Sequence, residues 1–132
     1  MENFHVDENI KKAETLPATF YRSDEVFELL KKRVFKRSFQ WFGSINDLLP
    51  QESYVKPLLF VEGCLEEPFF IRKDAKLGVT CFSNVCTHRG NLIFHHEGVS
   101  KRIACGYHGR AWTTDGAFKF MPEFKDVEDF PR

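Results

Sequence analysis

The chain has 132 residues, the length of one ordinary domain, and its 42% hydrophobic content with 15 Phe supplies a packed interior and excludes a disordered chain. Lysine plus arginine equals aspartate plus glutamate at 19 each, so the net charge of zero gives no reason to expect DNA, RNA or an anionic membrane as partner. The longest aliphatic stretch, Leu58-Leu59-Phe60-Val61, is far too short to span a bilayer, and the start Met-Glu-Asn-Phe-His lacks the basic and apolar runs of a secretory signal, so a cytoplasmic location is expected.

In chain order, residues 1–22 read as irregular, with one helical turn within 7–15 stopped before Pro17. A helix is predicted next. Ser23 is its N-cap, and Asp24 and Glu25 put negative charge at the positive end of the dipole. Val26, Phe27, Leu30, Val34 and Phe35 recur at helical spacing as one apolar stripe. Lys31, Lys32, Arg33, Lys36 and Arg37 crowd the last turns, where they read as a solvated face rather than a nucleic-acid patch. After Trp41 and Gly43 the pattern changes to short strands at 58–62, 68–72 and 79–83, with 73–78 as a hairpin connection. Two further strands are predicted at 102–105 and 110–113. Thr114-Asp115-Gly116 then carries the Asp-Gly signal of a tight turn before 117–121. The predicted organisation is a helical lead-in over 1–43, a small antiparallel β domain over 44–121, and an acidic exit segment over 122–132.

The four cysteines, at 64, 81, 86 and 105, read as metal ligands or buried fillers rather than disulfides in a reducing compartment. The chemistry concentrates in two segments, Cys86-Thr87-His88-Arg89-Gly90 and Cys105-Gly106-Tyr107-His108-Gly109. The pattern is Cys-x-His, sixteen intervening residues, then Cys-x-x-His. Each segment offers one anionic thiolate and one neutral imidazole. A [2Fe–2S] cluster with inequivalent irons needs that division, two thiolates on one iron and two imidazoles on the other. Zinc is the main rival, since Cys₂His₂ is also a zinc set. The spacing weighs against zinc, which usually groups Cys with Cys and His with His at two to four intervening residues. Gly90, Gly106 and Gly109 are expected to let the backbone turn tightly and aim N–H groups at sulfur. Cys64 and Cys81 read as buried thiols, and Trp41 and Trp112 as core or interface aromatics. The adjacent His95 and His96 beside Glu97-Gly98 read as an exposed turn, not a metal site.

The run Ser83-Asn84-Val85-Cys86-Thr87-His88-Arg89-Gly90-Asn91, followed by Cys105-Gly106-Tyr107-His108-Gly109, closely resembles the Rieske domain of ring-hydroxylating oxygenase α subunits. Residues 16–40 resemble the helical lead-in of those subunits, and 121–132 the link toward their catalytic domain. The resemblance implies a mainly β Rieske iron–sulfur fold of small antiparallel sheets with two cluster-binding loops. It implies ligation by Cys86, His88, Cys105 and His108. The implied role is one-electron transfer from an NAD(P)H-dependent reductase or ferredoxin to a mononuclear Fe(II) in a catalytic domain, in the family commonly that of a neighbouring subunit. Beyond the four ligands only His5, His95 and His96 are left, so no site for that second iron is expected in these residues, and the chain is expected to be truncated. The other role such a domain fills is a stand-alone Rieske-type ferredoxin.

Respiratory Rieske proteins resemble this motif but add a cysteine to each loop and a serine near a bridging sulfide. Asn91, Tyr107 and Arg110 occupy those three positions here, which implies a potential in the lower part of the Rieske range. Arg110 also departs from the oxygenase pattern, which commonly has Trp after His-Gly; it is expected to be ordinary variation, the alternative being a cation that tunes the cluster or helps docking. Tyr107 is expected to pack beside the cluster, and the imidazole N–H groups of His88 and His108 to face solvent.

Overall fold

The computed structural model describes residues 4–124 and 126–130. The chain divides into two units, Met1–Gln40 and Trp41–Arg132.

In the first unit the carbonyl of Asn9 accepts the N–H groups of Lys12 and Ala13 at 2.8 and 3.0 Å, a single turn inside the predicted 7–15. Helix α1, Ala18–Arg22, then falls where irregular chain was expected. Pro17 was read as a stop, yet its fixed φ of −66° also suits the residue that opens a helix. Helix α2, Asp24–Arg33, is capped as expected, the Ser23 hydroxyl accepting the Val26 N–H at 3.3 Å. Its apolar stripe is shallower than predicted. Only Val26 is buried, Phe27 and Val34 are exposed, and the helix ends before a 3₁₀ turn at Phe35–Arg37. Lys31 pairs with Glu28 and lies 5.0 Å from the Phe27 ring centroid, so that ring carries a cation rather than a core contact.

The second unit opens with one helical turn, α3 (Ile45–Leu48), and is otherwise antiparallel β structure. Strands β1 (Tyr54–Phe60), β2 (Glu67–Asp74), β3 (Gly78–Ser83) and β4 (Gly98–Val99) form one sheet in the order β3-β2-β1-β4. Strands β5 (Ile103–Ala104), β6 (Ala111–Trp112) and β7 (Phe118–Phe120) form a second. Strand β1 starts four residues before the predicted 58, running through Pro57. Past Val55 it has a neighbour on one side only, a position where a proline is tolerated. Strand β4 was missed because it is two residues long. Gly98 pairs with Val55 while Glu97 reaches across to Lys56 at 2.5 Å.

The turn between β2 and β3 is fastened by charge. Arg72, 2% exposed, pairs with Asp74 at 2.6 Å, and the other Asp74 oxygen accepts the N–H groups of Lys76 and Leu77. Those partners, the guanidinium first, hold the Asp74 carboxyl down from its ordinary 3.8 to about 2.

The core gathers around Phe70, which is fully buried, with the Phe82 and Phe94 rings 5.5 and 4.8 Å away. Ile93, Ile103 and Trp112 complete it together with Cys86 and Cys105, so both candidate ligand thiols are part of the interior. Burying a side chain of this size stabilises the fold by about 1.5–3 kcal/mol. Two expectations need correction: Cys64 is half-buried, and Cys81 is exposed because odd positions of β3 face outward. Of the two places expected for Trp41, core or interface, its 86% exposure excludes the core.

Candidate cofactor site

Two loops, residues 86–91 and 105–110, follow one backbone plan. In the first, the Cys86 N–H donates to the Asn91 carbonyl at 2.8 Å and the Gly90 N–H to the Cys86 carbonyl at 2.9 Å. In the second, the Cys105 N–H donates to the Arg110 carbonyl at 2.8 Å and the Gly109 N–H to the Cys105 carbonyl at 3.1 Å. Each bond joins the cysteine to the same relative position. The fourth residue after each cysteine is a glycine in the left-handed region, Gly90 at φ 70° and Gly109 at φ 72°. Gly106, expected to share that role, does not adopt a positive φ. Val85 bridges Leu92 across the first loop, and β5 and β6 flank the second.

Because the frames match, the side chains sort by depth. Cys86 and Cys105 are 2% and 4% exposed. His88 is half-buried and His108 exposed, their ring centroids 4.9 Å apart at 73°. The four residues thus stand as a thiol pair within and an imidazole pair without. Among the described residues, no three of His, Cys, Asp or Glu are gathered as one metal ion would need.

The electrostatics favour the ligand forms. Burial acts to raise the Cys105 pKa, but the Tyr107 N–H, the Asn91 amide and the Cys86 thiol outweigh it, and the thiol lies below its ordinary value. The Tyr107 N–H and the Asn91 amide each reach the Cys105 sulfur at 3.5 Å. His88 is also shifted down, by burial first and then by His108, Arg89 and Arg110, which favours neutral imidazole. Tyr107 lies beside His108, ring centroids 3.8 Å apart.

Two residues that shape the site went unassigned in the sequence. Asn84 is 2% exposed, and its side chain both donates to the Phe94 carbonyl and accepts the Phe94 N–H, each at 2.8 Å. It pins the entry to the first loop, and its signal was only an amide at the end of an apolar strand. Asn91 carries the other hidden role, since its amide crosses from the first loop to the sulfur of the second. The segment after β7 returns over the site. Pro122 comes so close that a Cβ on Gly109 would lie 2.9 Å from its Cγ, and the Phe124 ring stands 6.3 Å from His88.

This is a small β domain whose paired loops offer mixed cysteine and histidine donors. The chain belongs to the Rieske [2Fe–2S] domain family, whose model matches residues 48–131, and the Rieske-type [2Fe–2S] cluster is its cofactor. Among characterised proteins it is 32% identical over 130 residues to the carnitine monooxygenase oxygenase subunit of Escherichia coli K12, a match over 98% of this chain and 33% of that protein. It is 27% identical over 103 residues to the benzene 1,2-dioxygenase α subunit of Pseudomonas putida F1, covering 77% of this chain and 22% of that one. Among solved structures, the quaternary ammonium Rieske monooxygenase CntA with L-carnitine superposes at a TM-score of 0.78, with 28% identity, over 89% of this chain and 32% of that one. The chain spans about a third of the length of the first of these relatives. No described helix is long and apolar enough to cross a membrane.

Proposed function

We propose that Cys86, His88, Cys105 and His108 ligate the cluster and that the chain is the electron-transfer module of a Rieske oxygenase. The observation that carries this reading is the sorting of donors by two matched loops, thiols inward and imidazoles outward. Cys86 and Cys105 would share one iron and His88 and His108 the other, the division that two irons of unlike ligation require. When bound, such a cluster supplies one-electron transfer at potentials of roughly −150 to +300 mV.

The protein's own residues prepare that chemistry. The burial of Cys86 and Cys105 keeps water from the thiolate side, while the Tyr107 N–H and the Asn91 amide donate toward sulfur. The exposure of His108 leaves an imidazole edge for a partner's acidic or backbone acceptor. Relatives named for carnitine monooxygenation and for benzene dioxygenation share this part of their sequences, so what they share is the electron-transfer unit rather than a substrate pocket. The proposed donor is an NAD(P)H-dependent reductase or ferredoxin. The proposed acceptor is the mononuclear Fe(II) of an oxygenase catalytic domain, in the same or a neighbouring subunit, with the segment from 122 onward leading toward it and 1–43 as its helical lead-in.

Visible absorption of the oxidised protein and EPR of the reduced protein test the ligand set. Cys86→Ser and Cys105→Ser are expected to abolish both signals, while His88→Cys and His108→Cys shift the spectrum toward an all-cysteine cluster or lose it. A colourless protein carrying stoichiometric zinc, or a wild-type spectrum in either histidine variant, overturns the assignment.

A further inference from the structure

Arg110 stands where the oxygenase pattern commonly has tryptophan, and its surroundings show what the cation does there. Its guanidinium carbon lies 5.1 Å from the Phe118 ring centroid, 5.5 Å from Phe130 and 5.9 Å from Trp112. Three aromatic faces within about 6 Å form a cage that attracts a cation while shielding it from water. The Arg110 Nε is buried and without a hydrogen-bond partner, and among the described residues no carboxylate pairs with this side chain. A charge held this way is neither neutralised by a counter-ion nor fully screened by solvent, so its field reaches its neighbours.

The cage is attached to the cluster loops at both ends. The Arg110 carbonyl accepts the Cys105 N–H at 2.8 Å, and Arg110 follows His108 by two residues. Phe130 packs on Phe124 at 4.7 Å, and Phe124 stands 6.3 Å from His88. Phe118 braces Phe130 at 5.4 Å. The guanidinium is thereby fixed beside the second loop by the same ring train that touches the first.

Resting on the cluster reading above, we infer that Arg110 is a caged cation that raises the reduction potential of the [2Fe–2S] cluster by favouring its reduced form. Reduction takes one electron from an external one-electron donor and converts one ferric iron to ferrous. No bond breaks, and the site becomes one unit more negative. A fixed positive charge nearby stabilises that product more than the oxidised reactant. Arg110 is a positioning residue in this role, since it acts on the cluster through its field and touches no ligand sulfur. It offsets part of the lowering expected from the absent second cysteine pair.

The test is a mediated redox titration of the cluster-loaded full chain, followed in the visible band, for wild type, Arg110→Lys, Arg110→Gln and Arg89→Gln. Arg110→Gln is expected to lower the reduction equilibrium constant at least tenfold, about 59 mV for one electron. Arg110→Lys keeps the charge and recovers most of it. Arg89 is exposed on the first loop, and its neutralisation moves the potential less. An unchanged potential in Arg110→Gln, or a fall in Arg110→Lys as large as in Arg110→Gln, overturns the inference. Should Arg110→Gln fail to hold the cluster, Phe130→Leu opens one wall of the cage and lets solvent screen the charge; a lower potential supports the inference and an unchanged one overturns it. A wild-type protein without the Rieske spectrum instead refutes the cluster reading itself, so the two failures are distinct.

Discussion

At the scale of single residues, two side chains with no place in the ligand motif fasten the fold, Asn84 at the entry to the first loop and Asp74 at the turn between β2 and β3. Asn84→Ala strips the Phe94 N–H and carbonyl of their buried partners, at a cost of about 2–6 kcal/mol, with about 1–3 for each of the two groups left unsatisfied. Urea denaturation measures that loss, and Asn84→Asp recovers only the bond to the Phe94 N–H. Asp74 governs the acid limb. Its carboxyl titrates near 2 when folded against an ordinary 3.8, so its stabilisation is complete above about pH 4 and is lost as the pH falls toward 2. Midpoints of thermal unfolding between pH 2 and 5 are expected to fall more steeply for wild type than for Asp74→Asn, which starts lower because Arg72 is left buried without its partner. Residues of this kind were illegible in the sequence for a physical reason. Cys86, His88, Cys105 and His108 are proposed from short-range spacing, whereas the partners of Asn84 and Asn91 lie ten and fourteen residues away and are brought near only by folding.

At the scale of elements, the two loops differ in how tightly each glycine is held. Both glycines need a left-handed backbone, which costs about 1–2 kcal/mol for a residue with a Cβ. Gly90 has open space where that Cβ would go, while at Gly109 it would strike Pro122. Gly109→Ala is therefore expected to destabilise the chain more than Gly90→Ala in the same denaturation assay, and to release the segment after β7, read as faster proteolysis beyond Met121. Equal losses would show that Pro122 yields freely. The strands themselves were legible where alternation or an Asp-Gly turn marked them, as in β2, β3 and the hairpin of β6 and β7. The short β4 and α1 were not, because each run carries less pattern than the glycine or proline beside it.

At the scale of the whole molecule, the two units have unequal means of holding themselves together. Between Phe4 and Gln40 a single described residue, Val26, is buried, whereas the unit from Trp41 onward contains Phe70, both sheets and the two loops. A chain beginning at Trp41 is expected to take up the cluster and give the same EPR signal as the full chain; loss of the signal would place the helical segment within the cluster-binding fold. Helix α2 was legible from the cap at Ser23 and its charges. The sequence reading ends the lead-in at 43 and the contacts divide the chain after Gln40; Trp41 and Gly43 look like punctuation whichever unit they join.

The one-residue offset between the loops has a directional consequence. On frames that otherwise match, the imidazole sits two positions after the cysteine in the first loop and three in the second, which leaves His88 half-buried beside Phe124 and His108 in the open under Tyr107. A protein docking at these loops would meet the second loop's imidazole before the first. On the electron-transfer reading proposed above, a donor and an acceptor that both dock there would have to take turns.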